Sequence, residues 1–166
     1  MKTAPQLRLA LRAIGAGDTP ALHRLLGNAP DLVEDARLLN EAALRGQAEA
    51  VRLLLSSGSD PDAPVPSHEN YRPLHRAIEH RGFPRQPGHR EGVEILLEAG
   101  ASLEKRATWM QLIPFSVAGM VGDREMMDLL REAGSAESLF TAAITADVPA
   151  VRRHRAIPLS TKPLAL

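Results

Sequence analysis

Three segments of the chain share one arrangement of apolar and polar positions, and each predicts a pair of short helices. The segments are LNEAALRGQAEAVRLLLSSGSD (39–60), LHRAIEH with REGVEILLEAGAS (74–102), and FSVAGMVGDREMMDLLREAGS (115–135). In each segment, small or apolar residues form a first helix. A turn follows, and an apolar pair or triplet on a second helix precedes a glycine. The pattern indicates a helix-turn-helix unit that is repeated along the chain.

The repeated units keep a common phase. Val51, Val93 and Met127 occupy equivalent positions, 42 and 34 residues apart. The first interval is longer because RGFPRQPGH is inserted between the two helices of its unit. The wider segment RGFPRQPGHREG (81–92) contains two prolines and three glycines and is expected to be an irregular loop. Weaker copies of the unit precede and follow these three: LRLALRAIGAGDTPALHRLLG and SLFTAAITADVPAVRR.

The repeat resembles the ankyrin-repeat family over roughly residues 7 to 154. The family motif runs Thr-Pro-Leu-His-x-Ala-Ala, then Gly-His, then Val-x-x-Leu-Leu and a closing Gly-Ala, with a period of about 33 residues. Its best copy here is RPLHRAI with GVEILLEAGAS. The resemblance implies an all-α ankyrin-repeat solenoid of about five helix-turn-helix repeats, with degenerate terminal repeats and an insertion inside the third. We expect one domain over residues 1–155 and a proline-containing C-terminal tail over 156–166.

Several local signals agree with this repeat. Pro73 and Pro114 are placed to begin first helices, where a proline loses no hydrogen bond. Arg72 and Ile113 stand where the family has threonine, so these two helix starts are expected to lack a hydroxyl cap. Alanines should let neighbouring first helices approach closely: Ala42, Ala43, Ala77 and Ala118. Glycines follow three second helices, where a left-handed residue satisfies the last carbonyls: Gly58, Gly100 and Gly134.

Composition narrows the class of protein. Apolar residues make up 44% of the 166 residues but aromatic residues only 3%, so leucine, alanine, valine and methionine must build the core. Twenty basic and twenty acidic residues cancel, and no net field attracts nucleic acid. The chain has no cysteine, which excludes disulfides and cysteine-ligated zinc and fits a reducing compartment. No apolar run approaches the roughly 20 residues that span a bilayer. We expect a cytoplasmic monomer without membrane attachment.

Four of the six histidines fall close together in sequence: His68, His75, His80 and His89. Imidazole can bind zinc, copper or nickel without thiolate. However, His75 and His80 are five residues apart, about 140° around a helix of roughly 3.6 residues per turn, and cannot chelate one ion. The family resemblance instead implies that His75 orders its turn through a hydrogen bond to the backbone, and the other three are expected to be solvated. A metal-dependent enzyme or accessory protein that uses this histidine region is the alternative; otherwise no metal or cofactor is expected.

The resemblance implies a non-catalytic module that binds another protein through its hairpin tips and concave helix face, as a bacterial inhibitor, immunity or scaffold protein. Two hairpins are predicted, SDPDAPVPSHENYR (59–72) after Gly58 and ASLEKRATWMQLI (101–113) after Gly100. Tyr71 and Trp109, the only tyrosine and tryptophan, lie in these hairpins and are candidate anchors. In a competing interpretation Trp109 and Met110 fold back over a neighbouring leucine, and Phe83 has the same ambiguity. The predicted contact residues are Asp60, Asp62, Glu69, Tyr71, Arg72, Phe83, Arg106, Trp109 and Met110.

A third hypothesis concerns VRRHR (151–155), which could touch acidic lipid or nucleic acid. Such a run is more often a solvated helix end.

Overall fold

The computed structural model describes residues 4–80, 82–136 and 142–143. Within these residues, eight α-helices form four consecutive pairs, and there is no β-strand. Short 3-10 turns occupy Pro30–Glu34, Pro66–His68 and Trp109–Gln111. The helices are α1 (Ala4–Ala16), α2 (Thr19–Asn28), α3 (Ala36–Leu44), α4 (Ala48–Ser56), α5 (Pro73–Glu79), α6 (Pro87–Glu98), α7 (Pro114–Val121) and α8 (Arg124–Glu132).

The pairs stack in sequence order. The first helices pack as a row in which α3 contacts α1 and α5, and α5 contacts α7. The second helices form another row in which α4 contacts α2 and α6. This arrangement confirms the predicted all-α repeat fold for four helix pairs. Ala142 and Ala143, expected in a fifth repeat, are helical, but the rest of that repeat and the tail over 156–166 lie outside the described residues.

One continuous apolar core runs through all four pairs. The predicted alanines are fully buried in the first helices, where their small side chains let the backbones come close. The equivalent residues Val51, Val93 and Met127 are buried in the second helices. Because each pair buries its apolar face against the next, the repeats depend on one another for stability.

The observed helix starts and ends agree with the prolines, caps and glycines predicted from the sequence. Pro73 and Pro114 begin α5 and α7, and their N-cap residues Arg72 and Ile113 make no side-chain capping bond, as predicted. Asp18 provides such a cap for α2 by accepting the Ala21 amide hydrogen at 2.8 Å. The three predicted glycines all have positive φ.

The inserted segment is shorter than predicted. A loop over residues 81–92 was expected, but α6 already begins at Pro87, and the irregular part ends at Gln86. His89 therefore lies in the first turn of a helix. Its ring is fully buried, so the expectation of a solvated side chain is wrong.

Candidate partner-binding groove

A groove of about 540 Å³ lies where two hairpins meet the first helices. One wall comes from the hairpin over residues 59–72 and another from the hairpin over residues 101–113. The floor comes from α5 and α7. Its lining residues are Ser67, His68, Glu69, Tyr71, Arg76, Glu79, Trp109 and Met120.

A second cavity of about 190 Å³ adjoins the first. Both are lined by His68 and Arg76, so the two form one surface. We call this surface the inner groove; it extends from Leu11 on α1 to Met120 on α7 and thus crosses all four described repeats.

The two hairpins are tied together by hydrogen bonds. The Thr108 amide donates to the Glu69 main-chain oxygen at 2.7 Å. The Asn70 amide group donates to the Thr108 hydroxyl at 2.5 Å, and Arg72 donates to the Arg106 main-chain oxygen at 2.7 Å. These bonds fix the relative position of the groove walls.

The tips of both hairpins have an uncommon backbone conformation. Glu69 and Asn70 have φ of 55° and 54°, and Met110 and Gln111 have φ of 51° and 54°. Such left-handed non-glycine residues cost conformational energy and cluster at functional sites. The conformation occurs in two successive hairpins; Glu69 itself lines the inner groove, and Met110 directly follows the groove residue Trp109.

Two exposed apolar side chains, Trp109 and Met120, line the larger cavity of the groove. Trp109 is 48% exposed and Met120 is 43% exposed, and Met110 and Val121 are exposed to a similar extent. About half of the surface of Trp109 and of Met110 thus stays open to solvent, whether or not either side chain also packs over a neighbouring leucine. An exposed apolar cluster of this kind is typical of an interaction surface.

Tyr71 differs from its predicted role as an exposed anchor. It is only 6% exposed, and its ring centroid lies 5.4 Å from that of His75. Its main chain forms an antiparallel bridge with Val65 in the same hairpin. Tyr71 thus supports the groove wall, although one side of it still lines the groove.

Two further predicted contact residues hold the hairpins in place. Asp62 accepts the Ser102 amide hydrogen at 3.0 Å and pairs with Lys105 at 3.1 Å. Arg72 is half-buried and bonded to the neighbouring hairpin. Asp60, Glu69 and Arg106 are exposed, as a contact role requires, but of these three only Glu69 lines the groove.

Phe83 lies apart from the other predicted contact residues. It is half-buried beneath the Arg45 guanidinium, 4.7 Å from its ring centroid. Arg45 follows the C-terminal end of α3, whereas the hairpins lie at the N-terminal ends of the first helices. The structure therefore separates Phe83 from the inner groove.

The groove residues that sequence reasoning missed include three on the first helices α5 and α7: Arg76, Glu79 and Met120. For Arg76 and Glu79 the available signal was their place on the first helix of the clearest repeat. Helix α7 reads PFSVAGMV, and a helix that is apolar on every side does not reveal which residue is exposed.

Most of the clustered histidines form hydrogen bonds with main-chain atoms. The ring of His75 donates from Nε2 to the Leu112 main-chain oxygen at 3.0 Å, which confirms its predicted bond to the backbone. Burial lowers the pKa of His75 to about 4, because the charged ring would lose its hydration. His80 donates from Nδ1 to the Phe83 oxygen at 3.1 Å, while His68 is exposed beside Ser67.

The described residues give no support to the metal site of the alternative hypothesis. Within residues 4–80 and 82–136, no three histidine, aspartate or glutamate side chains are placed to hold one ion. His80 and His89 do meet, with ring centroids 5.1 Å apart. His89 is already bonded through both ring nitrogens to main-chain atoms of Leu44 and Gln86.

The helices of the described part of the chain are all too short or too polar to cross a membrane. The VRRHR run (151–155) lies outside that part.

Comparison with known proteins identifies the repeat. Residues 9–107 match the family model for ankyrin repeats in three copies. A search of curated proteins finds no match. The matched residues include the helix pairs α3/α4 and α5/α6 and the hairpin over 59–72. The chain therefore belongs to the ankyrin-repeat family, whose repeats generally act as protein–protein interaction modules.

Proposed function

We propose that this protein is a non-catalytic module that binds a partner protein in the inner groove. The observation that carries the proposal is the pair of exposed apolar side chains, Trp109 and Met120, at the border of a groove of about 540 Å³. Tryptophan and methionine are enriched in interface cores, where aromatic anchors contribute much of the binding energy.

The hydrogen bonds between the hairpins support this role. Because Thr108 and Glu69 are joined through their backbones, the groove walls are ordered before a partner arrives. A preformed surface loses less conformational entropy on binding, and more of the contact energy appears as affinity.

The contacts of the histidines favour binding over catalysis. His75, His80 and His89 each donate to a main-chain oxygen, so these rings stabilise the fold. We propose further that the protein acts as a monomer in the cytoplasm, which the cysteine-free composition fits. Whether it serves as an inhibitor, immunity or scaffold protein depends on the partner.

Affinity capture with matched variants tests the proposal. The double variant Trp109→Ala, Met120→Ala removes the groove's exposed apolar side chains. Leu9→Ala is the control, because Leu9 is 49% exposed on α1 but does not line the groove. The control should recover the same partner as the native chain, whereas the double variant should lose it. Equal recovery by both variants would place the binding surface elsewhere.

A further inference from the structure

Among the acidic and basic residues that line the larger cavity of the inner groove, Glu69 forms no ion pair with the described residues. Arg76 pairs with Glu79 at 3.5 Å, and both side chains are largely buried, at 13% and 18% exposure. Glu69 is exposed, and it forms no ion pair with any other side chain in the described part of the chain. Among the residues that line this cavity, the charges of Arg76 and Glu79 cancel, and the carboxylate of Glu69 is the acidic group left for a partner.

This carboxylate lies beside the apolar wall. The main-chain oxygen of Glu69 accepts the amide hydrogen of Thr108, the residue before Trp109, at 2.7 Å. Trp109 and Met120 line the same cavity as Glu69. One cavity is therefore lined by an aromatic ring, a flexible thioether and a carboxylate.

We propose that the groove binds a basic side chain, lysine or arginine, from an exposed segment of the partner protein. Its aliphatic stem packs against Met120 and the Trp109 ring, while its charged head group pairs with Glu69. Lysine and arginine combine an apolar stem with a charged end, and a cation is attracted to the tryptophan face. This inference rests on the proposed function and names the chemistry of the partner.

The same arrangement disfavours other side chains. An apolar side chain would cover Glu69 and remove its hydration without supplying a partner, which costs free energy. An acidic side chain would add repulsion to that cost. Glu69 therefore acts as the specificity determinant, and Trp109 and Met120 supply affinity.

Selection from a library of short random peptides, displayed on phage and panned against the full chain, tests the inference. Selected peptides are sorted by whether they lose binding to the Trp109→Ala variant. Those that depend on Trp109 should contain a lysine or arginine whose replacement by methionine weakens binding about tenfold.

Two protein variants complete the test. Glu69→Gln should weaken the binding of the basic peptides about tenfold. It should leave the binding of their methionine-substituted versions unchanged. Glu104→Gln is the control, because Glu104 is an exposed carboxylate of the neighbouring hairpin that does not line the groove. It should bind every peptide as the native chain does.

The outcomes separate the two proposals. If Trp109-dependent peptides tolerate methionine in place of the basic residue, or bind Glu69→Gln as tightly as the native chain, the inference is wrong and the groove proposal stands. If no selected peptide depends on Trp109, both proposals are wrong.

Discussion

The ring of His89 joins two repeats, because its Nε2 donates to the main-chain oxygen of Leu44 at 3.0 Å. Leu44 is the last residue of α3, where carbonyl groups have no partner within the helix. The other ring nitrogen, Nδ1, accepts the amide hydrogen of Gln86 at 3.0 Å, at the start of α6. One buried side chain thus satisfies a helix end in each of two neighbouring repeats.

Replacing His89 should therefore destabilise the whole stack. We expect His89→Ala to lower the free energy of unfolding by about 3 kcal/mol, since it leaves buried polar groups unpaired and opens a cavity. Urea unfolding measures the change. His23→Ala is the control, because His23 is exposed on α2, and it should change stability by less than about 0.5 kcal/mol. Equal effects of both variants would contradict the proposed role of His89.

The approach of α6 to α3 also requires a glycine. A Cβ on Gly88 would collide with the main-chain oxygen of Gly46, whereas a Cβ on Gly92 in the same helix would meet nothing within 4 Å. We expect Gly88→Ala to destabilise the protein by about 3 kcal/mol and Gly92→Ala to stabilise it by about 0.5 to 1 kcal/mol. Relative to the native chain, the unfolding temperature should fall in Gly88→Ala and rise in Gly92→Ala. Shifts of the same sign would show that the helices can move apart at little cost.

Stability should depend on pH through His75. Burial lowers the pKa of His75 to about 4 from an ordinary value of 6.5, so the unfolded chain binds more protons than the folded chain between these values. The contribution of the neutral ring is fully present above pH 6.5 and is lost as the pH falls toward 4. A pKa difference of one between the two states corresponds to about 1.36 kcal/mol, so His75 contributes about 3 kcal/mol to the free energy of unfolding at neutral pH. Denaturant unfolding across this range measures it.

The variant His75→Gln separates this effect from the titration of carboxylates. Its side chain does not titrate but retains an amide donor for Leu112. We expect its stability to fall less steeply between pH 6.5 and 4 than that of the native chain. If the free energy of unfolding falls equally with pH in the variant and the native chain, His75 does not govern the pH dependence of stability.

Helix α8 is held to α6 by exposed ion pairs. Glu125 accepts from Arg90 at 2.7 Å and from Arg85 at 3.1 Å, and these bonds, chiefly the one from Arg90, lower the pKa of Glu125. We expect Glu125→Gln to increase amide hydrogen exchange in α8 severalfold, and high salt to do the same in the native chain. Glu132→Gln, which removes an exposed carboxylate from the same helix, should not. Unchanged exchange in Glu125→Gln would mean that the ion pairs of Glu125 do not anchor α8.

How well the sequence predicted the exposure of a candidate contact residue depends on what surrounds its side chain. Glu69 and Trp109 were placed correctly at the hairpins, since turn residues and the repeat phase locate a hairpin along the chain. Tyr71 and His89 were expected at the surface but are buried. The burial of His89 had a signal, because Gly88 and His89 match the Gly-His of the family motif. Nothing local distinguished Tyr71 from Trp109.

By itself the sequence determined the helix pairs, their order and most of their ends. Helical hydrogen bonds link residues four apart, and prolines and glycines act on the backbone at their own positions, so these features are readable locally. Only the tertiary structure decided which hairpin residues face the groove, because the exposure of Tyr71, Trp109 and Met120 depends on contacts between repeats. The charge of the groove has the same origin: Arg76 and Glu79 neutralise each other on one helix, and the fold brings Glu69 beside them without a partner of its own among the described residues.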